Sequence, residues 1–431
     1  MSFRQPIVGD AAWRNRLREG DRQDPLASFK EEFSIPAKSK DRSWTYLCGN
    51  SLGLMPRAVP HELQTALDAW ANLGVEGHFE GLHPWMDYHK RFTGPLARLT
   101  GSLESEVVAC NTLTVNLHLL MAGFYRPEPG RTKILIEAGA FPSDQYAMDS
   151  QIRHHRLDPQ QCLIEVGSEV DRHTDPTLPL LEAIRQAGSE LAVVLIGAVH
   201  YYSGASYEVA ALAREAHKVG AVLGLDLAHA VGNVPLNLHQ DEVDFACWCS
   251  YKYLNSGPGG PGGLFVHQKH HLRQDLGRLE GWWGHHPDTR FAMPRRFEPA
   301  PGAEAWQLSN AQVLAMAPHA AALDLHDRAG MSALRRKSLQ LTAELEHILL
   351  DFVQGRPELE GSLITPSNPE RRGCQLSLKV TRDGARLFEH LHRSGILADW
   401  RNPDTVRMAP VPLYNRFEDL ILVYEALQAF P

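Results

Sequence analysis

The sequence predicts an α/β protein, with a mostly parallel sheet covered by helices on both faces and a smaller α+β domain after it. Three observations carry this. Short apolar runs recur through the middle of the chain, amphipathic stretches separate them, and the last hundred or so residues change pattern.

The first 50 residues mix helix and coil signals and are expected to pack on the small domain. Lys133–Glu137 is a short apolar run that reads as a buried strand. Ala192–Ile196, Ala221–Leu225, Val243–Cys247 and Gly263–Val266 read the same way. Between the second and third runs, Ala210, Leu212, Ala213 and Ala216 recur at helical spacing, which predicts a helix over Val209–Val219. Periodicity alone leaves short buried helices open as an alternative for the apolar runs. Near the C-terminus, Met331–Phe352 reads as a long charged helix. Cys374–Val380 alternates like a half-exposed strand, and Leu387–Leu397 reads as a further helix. The expected division is an N-terminal segment over 1–50, a large domain over 51–318 and a small domain over 319–431.

Composition narrows the function classes. The chain has 431 residues, a net charge of -8, 43% hydrophobic and 22% charged residues, all ordinary for a soluble globular protein of more than one domain. Mild acidity without a long Lys/Arg run argues against a nucleic-acid partner. No run approaches the roughly 20 apolar residues that span a bilayer. Met1 to Asp24 is polar, unlike a signal peptide, so a cytoplasmic location is expected. The six cysteines are sparse. Cys247-Trp248-Cys249 lacks a second pair to complete a zinc site, so buried free thiols and no metal are expected.

The strongest local signal is Ser250-Tyr251-Lys252-Tyr253, followed by glycine at 257, 259, 260, 262 and 263. A lysine held at a strand end in a cleft can offer a neutral amine as nucleophile. The glycines let backbone approach a planar ligand. A surface lysine in a Gly-rich turn fits the same residues. Asp226, ending the run at Leu225, shifts the balance. A carboxylate in so apolar a context needs a cationic or donor partner, and the nitrogen of a pyridinium ring is one. A helix N-cap is the plainer account of Asp226 alone. With Lys252 on a neighbouring strand end, pyridoxal 5′-phosphate (PLP) becomes the better account of both. His229 follows three residues later as a candidate ring contact.

Weaker signals accompany this pair. Phe141 could stack on a ring face and Asp144 bond a ring substituent, though Phe141-Pro-Ser-Asp144 equally fits a turn opening a helix. Thr112 to Asn116 precedes an apolar helical run, which suits a phosphate at a helix start or ordinary capping by Thr112 or Thr114. Arg407 could hold a carboxylate through its planar fork or serve a salt bridge. The Gly281-Trp282-Trp283-Gly284-His285 segment and Asn310 are also conspicuous.

Taken together, these segments resemble the kynureninase family. The matching stretches are Gly49 to Leu54, Leu113 to Leu117, Phe141 to Asp144, Asp226 to Gly232, Asp244 to Asn255, Gly281 to His285 and Arg407 to Asn415. They span about residues 46 to 415. The resemblance implies a fold-type I PLP-dependent transferase fold with a seven-stranded sheet, and a homodimer with active sites at the subunit interface. It implies hydrolysis of L-kynurenine to anthranilate and L-alanine, with 3-hydroxy-L-kynurenine as a second candidate substrate.

The resemblance also implies roles. Lys252 would bind the cofactor covalently and act as the Cα base, and Asp226 would pair with the ring nitrogen. Phe141, Asp144 and His229 would contact the ring, and Leu113, Thr114 and Tyr251 would hold the phosphate. Tyr251 is also the candidate for proton transfer near the substrate carbonyl. Trp282 and Asn310 would reach the site from the partner subunit. Arg407 would take the substrate carboxylate, with His78 and Ser51 at the aromatic end. One departure stands out. The resemblance implies a Ser or Thr near Gly197, so either a hydroxyl contact to the cofactor is missing here or Ser203 replaces it. A cysteine desulfurase, an aminotransferase and a non-catalytic PLP-binding sensor are the competing readings.

Overall fold

The computed structural model describes residues 8–167 and 172–431. Seven strands form the central sheet: β1 (Val107–Ala109), β2 (Lys133–Glu137), β3 (Leu163–Val166), β4 (Leu191–Gly197), β5 (Val222–Asp226), β6 (Phe245–Cys249) and β7 (Gly262–Val266). Their order is β1-β7-β6-β5-β4-β2-β3. β7 runs antiparallel to both neighbours, and the other pairings are parallel.

The apolar runs follow from burial on both faces. Leu135, Val194, Leu225 and Ala246 face one core, while Ile134, Val193, Phe245 and Cys247 face the other. Successive residues of a strand point to opposite faces, so a sheet covered on both sides needs apolar residues throughout. The amphipathic helix Val209–Lys218 covers the first face through Leu212, Ala213 and Ala216.

β6 begins two residues later than the sequence pattern predicts. Asp244 accounts for the shift. Its carboxylate is held by His217 Nε2 (2.8 Å), His270 Nε2 (2.8 Å) and the Leu223 amide (2.7 Å), which pins the entry to the strand.

The C-terminal unit has an antiparallel sheet of β8 (Gly361–Leu363), β9 (Leu376–Val380), β10 (Asp399–Arg401) and β11 (Thr405–Met408), in the order β8-β9-β11-β10. β9 is buried along most of its length rather than half-exposed. The polar residue Ser377 is covered because its hydroxyl donates to the Tyr202 carbonyl at 2.6 Å. The helix predicted to run to Leu397 spans Gly384–Ser394. Gly395 takes a left-handed conformation (φ 93°) that ends it. Ile396–Leu397 instead pairs in parallel with Thr45–Tyr46.

The helix Ala11–Gln23 is capped by Asp10, whose carboxylate accepts the Trp13 amide at 2.6 Å. Trp13 and Leu17 lie one turn apart and sink into one core with Leu345, Leu376 and Leu420.

Candidate active site

Parallel strands deliver their C-terminal ends to one edge of a sheet. Here that edge carries Glu137 from β2, Gly197 from β4, Asp226 from β5 and Cys249 from β6. Register pairs Asp226 with Gly197 on one side and Cys247 on the other. A cavity of about 180 Å³ opens there, and Asp226, Lys252, His229, Phe141, Asp144 and Tyr251 all line it.

Lys252 Nζ lies 3.0 Å from His229 Nε2 and 5.9 Å from the centre of the Phe141 ring. Burial, then the charge of Lys252, hold His229 well below the usual histidine range, so its imidazole is neutral. Asp226 is not a helix cap. Its Oδ1 accepts the Ala228 amide at 2.7 Å, and no helix starts there.

Burial raises both Asp226 and Asp144, and each also feels the other through a shared hydrogen bond. That bond raises Asp144 and lowers Asp226. Asp226 is drawn back down by the charge of Lys252 and by the Ala228 amide. The arrangement brings a buried carboxyl pair and an amine into one cavity.

One end of the cavity lies on the β1/β7 flank. The helix Leu113–Phe124 starts there, and Thr112 makes no side-chain cap to it. Its first amides are left for a ligand. The Thr114 hydroxyl bonds Ser143 at 2.8 Å, so it is not a cap either. A Cβ on Gly262 would lie 2.9 Å from the Thr112 carbonyl carbon and 3.1 Å from the Leu113 nitrogen. Only glycine lets β7 approach this helix start so closely. Gly259 and Gly260 line the same end.

Arg407, on β11, is fully buried. Its Nη1 donates to the Tyr201 carbonyl (2.6 Å) and its Nη2 to Asp399 (2.7 Å). Tyr201 lines the cavity and meets Phe141 edge-on at 5.2 Å. Sequence reasoning missed both Tyr201 and Asp399. Only the pairing of β10 with β11 sets Asp399 opposite Arg407.

Five predicted residues do not line this chain's own cavity: Ser51, His78, Trp282, Asn310 and Arg407, the last fully buried and bonded to the carbonyl of the cavity-lining Tyr201. His78 packs edge-on against Trp85 at 5.1 Å. Trp282 is 48% exposed, and Ser51 and Asn310 are exposed. Ser203 also fails to reach the cavity. It is fully buried, and its hydroxyl contacts His200 Nδ1 and the Ala205 amide, both at 3.2 Å.

Comparison with known proteins places this geometry in a family. The Kynureninase C-terminal domain model matches residues 334–427 and the Aminotransferase class-V model residues 166–357. A kynureninase from Xanthomonas oryzae pv. oryzae (strain PXO99A) is 53% identical over 403 residues, covering 93% of this chain and 94% of that protein. The chain belongs to the kynureninase family. A kynureninase from Xanthomonas campestris pv. campestris (strain B100) is 50% identical over 427 residues, 98% of this chain and 99% of that protein. One from Stenotrophomonas maltophilia (strain K279a) is 49% identical over 415 residues, 95% of this chain and 96% of that one.

Solved structures share the fold. A C-DES variant with glycine covalently linked to its PLP cofactor superposes with a TM-score of 0.74 at 16% identity, covering 90% of this chain and 97% of that chain. The cysteine desulfurase CsdA from Escherichia coli gives 0.73 at 16% identity, covering 94% and 97%. The kynureninase-family chain thus has the fold-type I class V architecture that the family resemblance implied.

Proposed function

We propose that this chain is a PLP-dependent kynureninase that hydrolyses L-kynurenine to anthranilate and L-alanine, cleaving the substrate's Cβ–Cγ bond with water. The observation that carries the reading is the placement of Lys252 and Asp226 in one cavity, with a buried arginine, Arg407, behind Tyr201. Three orphan atoms mark a polar ligand. Asp144 Oδ1, His229 Nδ1 and Glu137 Oε2 are buried without a hydrogen-bond partner among the described residues.

When bound, PLP supplies an electron sink for charge developing at the substrate's Cα. Asp226 would face its ring nitrogen and hold that nitrogen protonated, with Asp144 donating to the carboxylate from the side. Phe141 would bound one face of the ring. The amides at Leu113 and Thr114, with the Tyr251 hydroxyl, would hold the phosphate. Lys252 would carry the cofactor and move the proton at Cα. His229, neutral and 3.0 Å from Lys252, can accept a hydrogen bond from that amine. Burial raises the Tyr251 phenol, so its hydroxyl keeps its proton and would act as a donor near the substrate carbonyl. Arg407 would grip the substrate's α-carboxylate.

The reading extends to a homodimer. Exposed Trp282 and Asn310 would complete a partner's site, with His78 and Ser51 at the aromatic end. Exposed Trp70, Phe79, Leu82, Phe291 and Met293 support a covered face. A place in tryptophan catabolism, a cytoplasmic location and 3-hydroxy-L-kynurenine as second substrate belong to the same proposal. Among the described residues, no helix is long and apolar enough to cross a membrane. A desulfurase needs a mobile, accessible thiol, and all six cysteines here are free and buried.

The test is an absorbance spectrum of purified protein, then incubation with kynurenine and separately with cysteine. Anthranilate without sulfide is expected. Sulfide without anthranilate, or a yellow protein that turns over neither, would overturn the reading.

A further inference from the structure

Gly197 lines the cavity without offering it a side chain, and a carboxyl from the neighbouring strand β2 lies beside it. Glu137 ends β2 and is 5% exposed. Its Oε1 accepts the Gly197 amide at 2.9 Å. A Cβ on residue 197 would lie 3.1 Å from that same Oε1. A side chain at 197 would press on that carboxyl and displace it by a few tenths of an ångström. Its second oxygen, Oε2, is buried without a partner among the described residues, and Glu137 lines the cavity. Ser203, one of the two alternatives left open by the sequence, has its hydroxyl on His200 and Ala205 outside the cavity.

Sheet order tells which part of a ligand Glu137 meets. The phosphate-side amides and glycines follow β1 and precede β7, on one side of Asp226. Glu137 ends β2, on the other side, beyond Gly197 of β4. A pyridine ring with its nitrogen at Asp226 and its phosphate arm toward β1/β7 turns its remaining oxygen substituent toward β4 and β2. Resting on the PLP reading above, we infer that Glu137 is a positioning residue of the cofactor cleft, its free oxygen bonding the ring hydroxyl group of PLP on the flank where residue 197 offers no side chain. Burial, then the charge of Asp226, push the Glu137 carboxyl up to about 7, so the neutral acid can donate to a ring oxygen that carries negative charge.

Two variants test this: Glu137→Ala, which removes the group, and Glu137→Gln, which still accepts from Gly197 and donates through its amide. Three quantities are read: the PLP dissociation constant of apo-protein titrated with PLP, the absorbance maximum of the bound cofactor, and the apo-protein Tm. The alanine variant is expected to bind PLP about tenfold more weakly, as loss of one buried hydrogen bond implies, with a displaced absorbance maximum. The glutamine variant is expected to stay within about threefold of the parent. A Tm loss with unchanged PLP affinity and spectrum would make Glu137 a tie between β2 and β4 only, and would overturn the inference. Should the alanine protein fail to fold, Glu137→Leu keeps the volume without the hydrogen bond, and parent-like PLP affinity in it overturns the inference equally. Failure of the parent chain itself to take up PLP would sink the proposed function instead, so the two failures are distinct.

Discussion

Replacing Arg407 with lysine keeps the charge and changes only the number of donors. Arginine has five N–H groups. One goes to the Tyr201 carbonyl at 2.6 Å and one to Asp399 at 2.7 Å, which leaves three. The Nε–H is one of these and has no partner among the described residues. Two adjacent N–H groups can therefore meet a substrate carboxylate in a fork. Lysine has three donors. If it keeps both anchors, one remains for the substrate. The loss is one charge-assisted hydrogen bond, about 1.5–3 kcal/mol. That is roughly a 10- to 150-fold fall in kcat/KM at about 1.36 kcal/mol per tenfold. The contact is made before and during the reaction, so the change is expected in KM rather than kcat. Steady-state kinetics on PLP-saturated protein, following anthranilate fluorescence, reads the split, with apo-protein Tm as the folding control. A folded Arg407→Lys protein with KM within twofold of the parent would move the carboxylate grip elsewhere. A loss confined to kcat would place this guanidinium at the reacting end of the substrate.

Three further outcomes are expected. Lys252→Ala abolishes the visible band of the lysine-bound cofactor and nearly all turnover; a purified variant that keeps both refutes the assignment. Trp13→Ala empties a fully buried site shared with the C-terminal core, and a loss of about 3–5 kcal/mol in denaturant unfolding is expected. A loss under about 1 kcal/mol would mean that the N-terminal helix does not anchor that core. The third concerns acid. Burial pulls His319 down from 6.5 to about 3, and its Nδ1 lies 2.6 Å from the Ser256 hydroxyl. The unfolded chain takes up a proton near 6.5 while the folded chain refuses it down to about 3. The contribution of His319 to stability is thus complete above 6.5 and is lost as pH falls through that window, by about 2 kcal/mol at pH 5. Urea unfolding of the parent and of His319→Gln at pH 7.5 and pH 5 should show a shallower acid loss in the variant. Parallel losses would contradict it.

The sequence by itself determined the alternation of strands and helices, because burial on both faces of a parallel sheet demands apolar runs that local patterning reveals. It also marked Asp226 and Lys252 as charges out of place, since a carboxylate ending one apolar strand and an amine just after another break the local rule. Element ends were less legible. Gly395 stops a helix through its own backbone conformation, whereas β6 is shifted by Asp244, whose partners His217 and His270 lie 27 and 26 residues away. Only the tertiary structure decided which strand ends become neighbours. Glu137 reads as the polar tail of an apolar run, and nothing local says that it meets Gly197, 60 residues later. Asp399 and Tyr201 gain their meaning only when the C-terminal sheet sets Arg407 between them. The physical reason is that periodicity records which face of an element is buried. What lies opposite that face depends on strand order and domain packing, contacts between residues far apart in the chain.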